Sequence, residues 1–159
     1  MRKHLSTLFL LVPVLLWMGL IFYMSGPTGG EGSSHYVLSR ILNTFAPGSY
    51  AELSPQSQDA LDYWLRKAGH VTEYAVLTLL VLRFAFLAKV WQNRRPVLFA
   101  GVVAVLYACS DEFHQLFVQG RTGAVRDVLI DSIGIGGVLI IALLWRLHSM
   151  VLQRLNPQP

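Results

Sequence analysis

Four long apolar runs separated by polar segments dominate the sequence. They cover residues 5–24, 71–90, 97–118 and 128–147. A helix needs roughly 20 mostly apolar residues to cross the hydrocarbon core of a bilayer, and each run meets that length. The pattern therefore predicts an all-α integral membrane bundle of four transmembrane helices, with residues 1–159 forming a single membrane domain.

The first run follows Arg2 and Lys3, an arrangement that secretory signal peptides share. The run is long for a cleaved signal, and residues 23–27 lack a small-x-small cleavage pattern. We therefore interpret it as a retained anchor. In the fourth run, Gly134, Gly136 and Gly137 form a smooth patch that favours close helix contact.

The connection between the first two runs, residues 25–69, is long and is predicted to be a helical extracytoplasmic loop. Residues 33–45 alternate apolar and polar side chains at helical spacing. This indicates an amphipathic helix that either lies on the membrane surface or caps the bundle. Ser54 followed by Pro55 is typical of a helix start. We expect a second loop helix to begin there and to lead into the second span through a bend at Gly69.

Composition supports a membrane protein and argues against a nucleic-acid partner. Charged residues make up only 14% of the chain and hydrophobic residues 53%, whereas soluble domains carry about 25% charged residues. The net charge is +4, but the basic residues are scattered between apolar runs and form no stripe. Membrane lipids are therefore the expected surroundings. The single cysteine, Cys109, excludes an internal disulfide and is expected to be a small buried packing residue.

The distribution of charge predicts the orientation in the membrane. Four spans place both termini on one side, and the short segments on that side contain basic residues without acidic ones. These residues are Arg2, Lys3, Lys89, Arg94, Arg95, Arg146 and Arg154. The positive-inside rule makes this side cytoplasmic. We predict a multi-pass plasma-membrane protein with N- and C-termini in the cytoplasm, and we expect Arg83 of the second span to snorkel towards that side.

Ionisable side chains gather at the opposite, outer ends of the spans. At the start of the second span, one helix face carries Lys67, His70, Glu73 and Tyr74. At the end of the third span, one face carries Tyr107, Ser110, Asp111, His114 and Gln115, with Glu112 pointing partly aside. The following loop and the start of the fourth span add Gly120, Arg121, Arg126, Asp127 and Asp131. Charges at membrane depth cost about 2.5–3.5 kcal/mol each at the bilayer centre, so they usually pair and mark a working site.

Several of these residues have simpler explanations when each is taken alone. Asp127 and Glu73 could complement the positive N-terminal ends of the fourth and second spans. Lys67 and Arg126 could be interfacial anchors, and His70 could be a structural histidine.

The acidic residues of the third span are harder to explain in this way. Asp111, Glu112 and His114 lie near a helix C-terminus, where the helix dipole disfavours anions. A cation such as Arg121 or a metal ion is expected to compensate them. Asp131 lies a full turn inside its span and also requires a partner or a proton.

At these positions the sequence resembles the VanZ-like family of bacterial membrane proteins. The matching stretch reads Lys67-x-x-His70-x-x-Glu73-Tyr74, then Ser110-Asp111-Glu112-x-His114-Gln115, then Gly120-Arg121, Asp127, Asp131 and Gly134. One departure is Asp131, where the family often has Asn. The resemblance implies a protein of the bacterial cell envelope and a link to teicoplanin and lipoglycopeptide resistance.

The residues support three hypotheses about function and leave open whether the protein is an enzyme. An enzyme facing the outer leaflet would use candidate catalytic residues His70, Glu73, Asp111, Glu112 and His114. Its candidate substrate-binding residues are Lys67, Tyr74, Ser110, Gln115, Arg121, Arg126, Asp127 and Asp131. In this hypothesis Glu112 or Glu73 is the base, with His114 and His70 as its partners.

The predicted substrate is a phosphate-bearing envelope lipid, either a lipid-linked cell-wall intermediate or a phospholipid, held through Arg121. The cofactor is undetermined, although the same carboxylates and imidazoles could bind a divalent cation. The other two hypotheses are a non-catalytic binding or accessory protein and a structural ion-pair network without a ligand.

Overall fold

A computed structural model describes residues 2–27, 31–89, 95–119 and 121–155 of the chain. These residues form five helices and no strand: α1 (Arg2–Ser25), α2 (Glu31–Phe45), α3 (Pro55–Leu87), α4 (Arg95–Gln115) and α5 (Val125–Leu155). Four of them, α1, α3, α4 and α5, are long and apolar enough to cross a membrane. The predicted all-α class and the four spans are confirmed. The predicted end of the second span at Val90 and the motif residue Gly120 lie outside the described residues.

Helix α3 is longer than the sequence pattern suggested. Its start is as predicted: the Ser54 hydroxyl accepts a hydrogen bond from the Ser57 N–H, and Pro55 occupies the first turn. The predicted bend at Gly69 is wrong, because one helix of 33 residues continues through this position. Residues 55–69 are too polar to extend an apolar run, but they maintain the helical backbone. At 1.5 Å per residue α3 measures about 50 Å, so its first turns extend beyond a hydrocarbon core about 30 Å thick.

The bounds of the last two spans also shift. Helix α4 ends at Gln115, and turns replace the predicted helix over residues 116–118. Helix α5 begins at Val125 and continues to Leu155. Hydropathy had marked only the apolar part of this helix, because its first turn contains Arg126 and Asp127.

Helix α3 lies at the centre of the bundle and contacts each of the other four helices. The core consists of the buried apolar residues Val14, Ile21, Tyr74, Leu77, Val81, Leu82, Ala85, Val97, Ala100, Ala104, Ala108 and Ile135. The three alanines of α4 repeat every fourth position, so one narrow face of α4 approaches its neighbours closely. Cys109 follows this face and is exposed. The expectation that it is buried was wrong, because one step along a helix turns a side chain by about 100°.

The glycine patch of α5 makes one close contact. A Cβ atom at Gly134 would collide with the Val71 carbonyl of α3, whereas Gly136 and Gly137 have open space at the same position. Of these three glycines, Gly134 is therefore the one that allows the backbones of α5 and α3 to approach closely. The other two glycines face away from neighbouring atoms.

Helix α2 packs on the first turns of α3. Its Leu38 is buried, whereas Tyr36, Val37, Ile41 and Phe45 are exposed. A polar cluster also joins the two helices and the loop between them. His35 contacts the Tyr50 hydroxyl through Nδ1, and its Nε2 lies 3.9 Å from Asp62 Oδ2. Arg66 Nη1 donates to the same Asp62 oxygen at 2.8 Å. One face of α2 thus caps α3, and apolar side chains remain on its other surface.

Candidate functional site

Polar side chains from four helices meet at one end of the bundle. The C-terminal ends of α1 and α4, the first half of α3 and the N-terminus of α5 contribute to this layer. Its links include Ser25 to Asp111, Lys67 to Asp127 and His70 to Asp131. The helix ends at which ionisable residues were expected to gather therefore lie side by side.

Two pairs of ionisable side chains link α3 to α5. Lys67 Nζ lies 2.6 Å from Asp127 Oδ1, and His70 Nδ1 lies 3.4 Å from Asp131 Oδ1. Lys67 and His70 are about one turn apart on α3, and their partners Asp127 and Asp131 are one turn apart on α5. Both pairs can form because the two helices run parallel here. The close approach at Gly134 is just beyond the second pair, and it allows these short side chains to reach across.

Asp111 is held by neighbouring hydrogen-bond donors. Its Oδ2 atom accepts one bond from Ser25 Oγ at 2.9 Å and another from Gln115 Nε2 at 3.1 Å. The buried hydroxyl of Tyr74 faces the same carboxylate. Ser25 was missed in the sequence because it ends an apolar run, where no local pattern indicates a polar role.

Glu112 is more central than its helical position suggested. The side chain was expected to point partly aside, but it is buried, and its Oε2 atom accepts a hydrogen bond of 2.8 Å from the Ala124 N–H. This N–H lies at the positive N-terminal end of α5, which stabilises a carboxylate. Gly123 makes the contact possible, because a Cβ atom there would collide with the Glu112 carbonyl oxygen.

Arg121 is the cation that the acidic end of α4 requires. Its Nη2 atom donates to the Met24 carbonyl at 3.1 Å, which fixes it against the end of α1. Burial, and to a lesser extent Arg66, lowers the pKa of the Arg121 guanidinium. Three nearby carboxylates oppose that shift, those of Asp111, Glu112 and Glu73. An arginine remains protonated in such surroundings, so Arg121 supplies positive charge to this layer.

A cavity of about 280 Å³ opens next to this layer. We call it the basic chamber, and its ionisable lining residues are Arg66, Lys67, His70, Arg121, Arg126 and Asp127. Four of them are permanent cations and one is a carboxylate. Lys67 pairs with this carboxylate, and Arg66 pairs with Asp62, which does not line the chamber. The chamber is suited to an anion.

An apolar groove of about 240 Å³ adjoins the chamber between α4 and α5. Cys109, Phe113, Leu116 and Val128 contribute to its walls, together with Glu112. Ala124 lines both the groove and the chamber. A polar cavity and a lipid-facing groove therefore meet at the hydrogen bond between Glu112 and Ala124.

Some predicted site residues lie elsewhere. Ser110 is exposed and donates to the Tyr107 carbonyl of its own helix; its expected face is wrong because it lies about 100° round the helix from Asp111. His114 packs on Phe22 of α1 with ring centroids 4.2 Å apart, and it does not line the chamber. Glu73 is partly buried close to His70. Since α3 begins at Pro55, Glu73 cannot serve the N-terminal end of that helix.

Four chamber residues were missed in the sequence: Tyr63, Arg66, Thr122 and Ala124. Arg66 had a usable signal, because it precedes His70 by four residues and so shares its face of the helix. Tyr63 precedes Lys67 by the same interval. Thr122 lies in a loop, where no periodicity applies.

Three potential metal ligands also converge beneath the chamber. One ligand atom from each of His70, Glu112 and Asp131 lies within 4.8 Å of the others. They come from α3, α4 and α5, so the triad exists only in the folded bundle.

Comparison with known proteins identifies the family. The VanZ/LLP1 family model matches residues 9–148. The chain belongs to the VanZ/LLP1 family. It is also similar to a protein of Bacillus subtilis (strain 168) named uncharacterized membrane protein YwnJ, with 30% identity over 133 residues, covering 77% of this chain and 84% of that protein. No solved structure matches the chain. The VanZ resemblance drawn from the polar motifs is confirmed, and this VanZ-family chain is a membrane protein with four spans.

Proposed function

We propose that this VanZ-family protein binds the phosphate-bearing head group of an envelope lipid in the basic chamber, at the outer leaflet. The observation that carries the proposal is the lining of the chamber, where Arg66, Lys67, Arg121 and Arg126 surround a cavity of about 280 Å³. Arginine forks match phosphate oxygens in pairs, and such charge-assisted bonds are the strong ones.

The size of the chamber favours a head group over a whole lipid. Pockets that enclose small molecules usually have volumes of about 300–1,000 Å³, and this cavity falls just below that range. The adjoining apolar groove would bind the hydrocarbon chain of a lipid. If this chain lay along Phe113, Leu116 and Val128, the phosphate of the same lipid would lie next to Ala124. This continuity favours a lipid phosphate over free phosphate.

Binding can be tested with purified protein in mild detergent. Phosphatidic acid and a polyprenyl monophosphate serve as probes, and diacylglycerol with the same chains as the phosphate-free control, with affinities measured by native mass spectrometry. We expect saturable binding of the phosphate lipids only. Hydrogen bonds to charged groups contribute about 1.5–3 kcal/mol, so Arg121→Gln and Arg126→Gln should each weaken binding roughly tenfold or more.

Arg83→Gln is the matched control for these variants. Arg83 is an exposed arginine on α3 and does not line the chamber, so its loss should leave lipid affinity unchanged. Equal binding of diacylglycerol and phosphatidic acid, or equal effects of Arg83→Gln and Arg121→Gln, would reject the proposal.

A structural ion-pair network is the competing interpretation, and one observation favours it. The link from Ser25 to Asp111 connects α1 to α4, and the links from Lys67 to Asp127 and from His70 to Asp131 connect α3 to α5. In that case the protein binds no phosphate lipid, and Arg121→Gln should lower only the thermal stability of the bundle. The stability of each variant is therefore measured alongside its affinity.

We further propose, from family membership, that the protein reduces susceptibility to teicoplanin by acting on lipid-linked cell-wall precursors. Wild-type and Arg121→Gln proteins would be expressed in a sensitive bacterium, and teicoplanin susceptibility would be compared with precursor lipid profiles. We expect the wild type alone to change both. Identical susceptibility with the wild type and with an empty vector would reject this part of the proposal and leave head-group binding to be judged on its own.

A further inference from the structure

We propose that His70, Glu112 and Asp131 bind a divalent transition-metal cation of the Mn²⁺ or Zn²⁺ class beneath the basic chamber. Each residue supplies one ligand atom, and these atoms lie within 4.8 Å of one another. The residues come from three helices that pack together, so the site is built by the tertiary fold.

The hydrogen bonding of the triad supports a bound cation more strongly than the clustering does. Asp131 is fully buried, yet neither of its carboxylate oxygens accepts a hydrogen bond from the described residues. Oε1 of the buried Glu112 and Nδ1 of His70 are in the same situation. Buried polar atoms are almost always satisfied, because leaving them unpaired is costly. Because one ligand atom of each residue lies within 4.8 Å of the others, one cation would be able to contact all three side chains.

Asp111 provides the internal contrast. It is equally buried and belongs to the same polar layer, but its Oδ2 atom accepts hydrogen bonds from Ser25 and Gln115. The fold thus supplies donors to one oxygen of Asp111, whose Oδ1 atom has no hydrogen-bond partner among the described residues, and to neither oxygen of Asp131.

Charge and ligand type indicate the class of ion. Two carboxylates balance a divalent cation, and a neutral imidazole adds a nitrogen ligand that Mn²⁺ and Zn²⁺ accept. Mg²⁺ and Ca²⁺ prefer ligand sets made of oxygen alone. Three protein ligands leave a coordination position for another group, as in catalytic zinc sites.

The protein also holds the ligands as a metal site requires. The Ala124 N–H binds Oε2 of Glu112 and leaves Oε1 for the ion, which is the orienting role that outer-shell hydrogen bonds play in metal sites. In the tetrahedral geometry of zinc, two ligands about 2.1 Å from the ion lie about 3.4 Å apart. Ligand atoms within 4.8 Å of one another would therefore close by up to about 1.4 Å on binding, through rotation of the three side chains.

The ion would lie next to the anion site, since His70 lines the basic chamber as well as the triad. A lipid phosphate in the chamber would be able to complete the coordination of the metal. This role of the ion rests on the proposed function, whereas the metal site itself does not.

The test is direct metal binding by the purified full-length protein. After treatment with EDTA and desalting, the protein is titrated with Mn²⁺, and free Mn²⁺ is followed by electron paramagnetic resonance. Zn²⁺ retained after a second desalting is counted by elemental mass spectrometry. We expect saturation near one ion per chain, with Mg²⁺ and Ca²⁺ competing poorly. Asp131→Asn and Glu112→Gln should each weaken binding at least tenfold.

Two control variants make the result specific. Asp59→Asn removes an exposed carboxylate, and Asp111→Asn removes a buried one that already has donors. Both should retain the ion. Wild-type protein without saturable Mn²⁺ or Zn²⁺ binding overturns the inference, and so does an equal loss of affinity in Asp111→Asn and Asp131→Asn.

The outcome is decisive even if the triad variants fail to accumulate. An ion bound only by the folded wild type raises its melting temperature in proportion to the logarithm of metal concentration, and an unchanged melting temperature contradicts the site. Lipid binding measured in EDTA separates the two proposals. Metal binding without phosphate-lipid binding supports the metal site and rejects the proposed function. Phosphate-lipid binding without metal binding supports the proposed function and rejects the metal site.

Discussion

At the scale of single residues, the buried carboxylates differ in how well the fold satisfies them. Asp111 receives two side-chain donors, Glu112 receives one backbone donor, and Asp131 receives none from the described residues. A buried acid whose partners are complete stabilises a fold, whereas one whose partners are incomplete usually has a ligand or a reaction to serve. Asp111 has one oxygen without a hydrogen-bond partner among the described residues and Asp131 has two, so Asp131 is the carboxylate that most requires a ligand.

Glu112→Gln separates a functional role of this residue from a structural one. The amide oxygen of Gln can still accept the Ala124 N–H, and a neutral side chain is easier to bury. We expect the variant to accumulate in the membrane like the wild type while losing any effect on precursor lipids or teicoplanin susceptibility. Abundance is measured by immunoblot of isolated membranes.

Glu112→Ala is the matched comparison, because it removes the hydrogen bond as well as the charge. It should lower abundance or melting temperature, since an unpaired buried N–H costs about 1–3 kcal/mol. If Glu112→Gln proved as poorly abundant as Glu112→Ala, the structural interpretation of Glu112 would be favoured.

Helical spacing predicted which residues share a face but could not predict their partners on other helices. It grouped Lys67 with His70 and Asp127 with Asp131, and these groups do face each other. The register between two helices depends on contacts such as Gly134 against Val71, which a single sequence does not show. The same limit explains why Ser110 was assigned to the site and Ser25 was not.

At the scale of helices, one glycine sets the contact that aligns the site. Gly134 lies one turn beyond the pair of His70 and Asp131, and its missing side chain admits the Val71 carbonyl. A small residue at a helix crossing allows backbones to approach closely in a membrane. The distance between α3 and α5, and with it the geometry of the triad, depends on this position.

Gly134→Ala should therefore destabilise the bundle. The new methyl group must displace backbone atoms, and such overpacking typically costs about 1–3 kcal/mol. We expect a melting temperature several degrees lower by fluorescence-detected size-exclusion chromatography, together with weaker metal and lipid binding.

Gly137→Ala serves as the control on the same helix, because a Cβ atom there meets nothing within 4 Å. Alanine also favours the helix over glycine by about 1 kcal/mol, so this variant should be neutral or slightly stabilising. A similar loss of stability in both variants would contradict the assigned contact.

Hydropathy located the spans well but not the helices that contain them. It identified the apolar parts of α3 and α5, yet α3 starts at Pro55 and α5 ends at Leu155. Polar residues outside the bilayer can remain helical when they pack on a neighbour, as residues of α3 do against α2. The extent of a membrane helix is decided partly by such packing, which hydropathy does not report.

At the scale of the whole molecule, the two ends of the bundle differ in charge. The acidic and basic residues of the site occupy one end, whereas Lys89, which follows α3, and Arg146 in the second half of α5 lie towards the opposite end. The positive-inside rule places that opposite end in the cytoplasm, so the chamber would face outwards. This orientation is a prediction.

Reporter fusions test the orientation. Alkaline phosphatase and green fluorescent protein fused after Arg95 and after the C-terminus should both report the cytoplasm, because four spans return the chain to its starting side. A fusion after Gly48, between α2 and α3, should report the outside. If the signal after Arg95 were external, both the orientation and the proposed outer-leaflet site would be rejected.

The uninterrupted course of α3 has a mechanical consequence. Its first turns pack against α2, and its later turns carry Lys67 and His70 within the site. A rigid rod of about 50 Å has no joint at which these two regions can move independently. A force applied to α2, or a change in bilayer thickness that tilts the rod, would be transmitted to the depth and angle of both side chains.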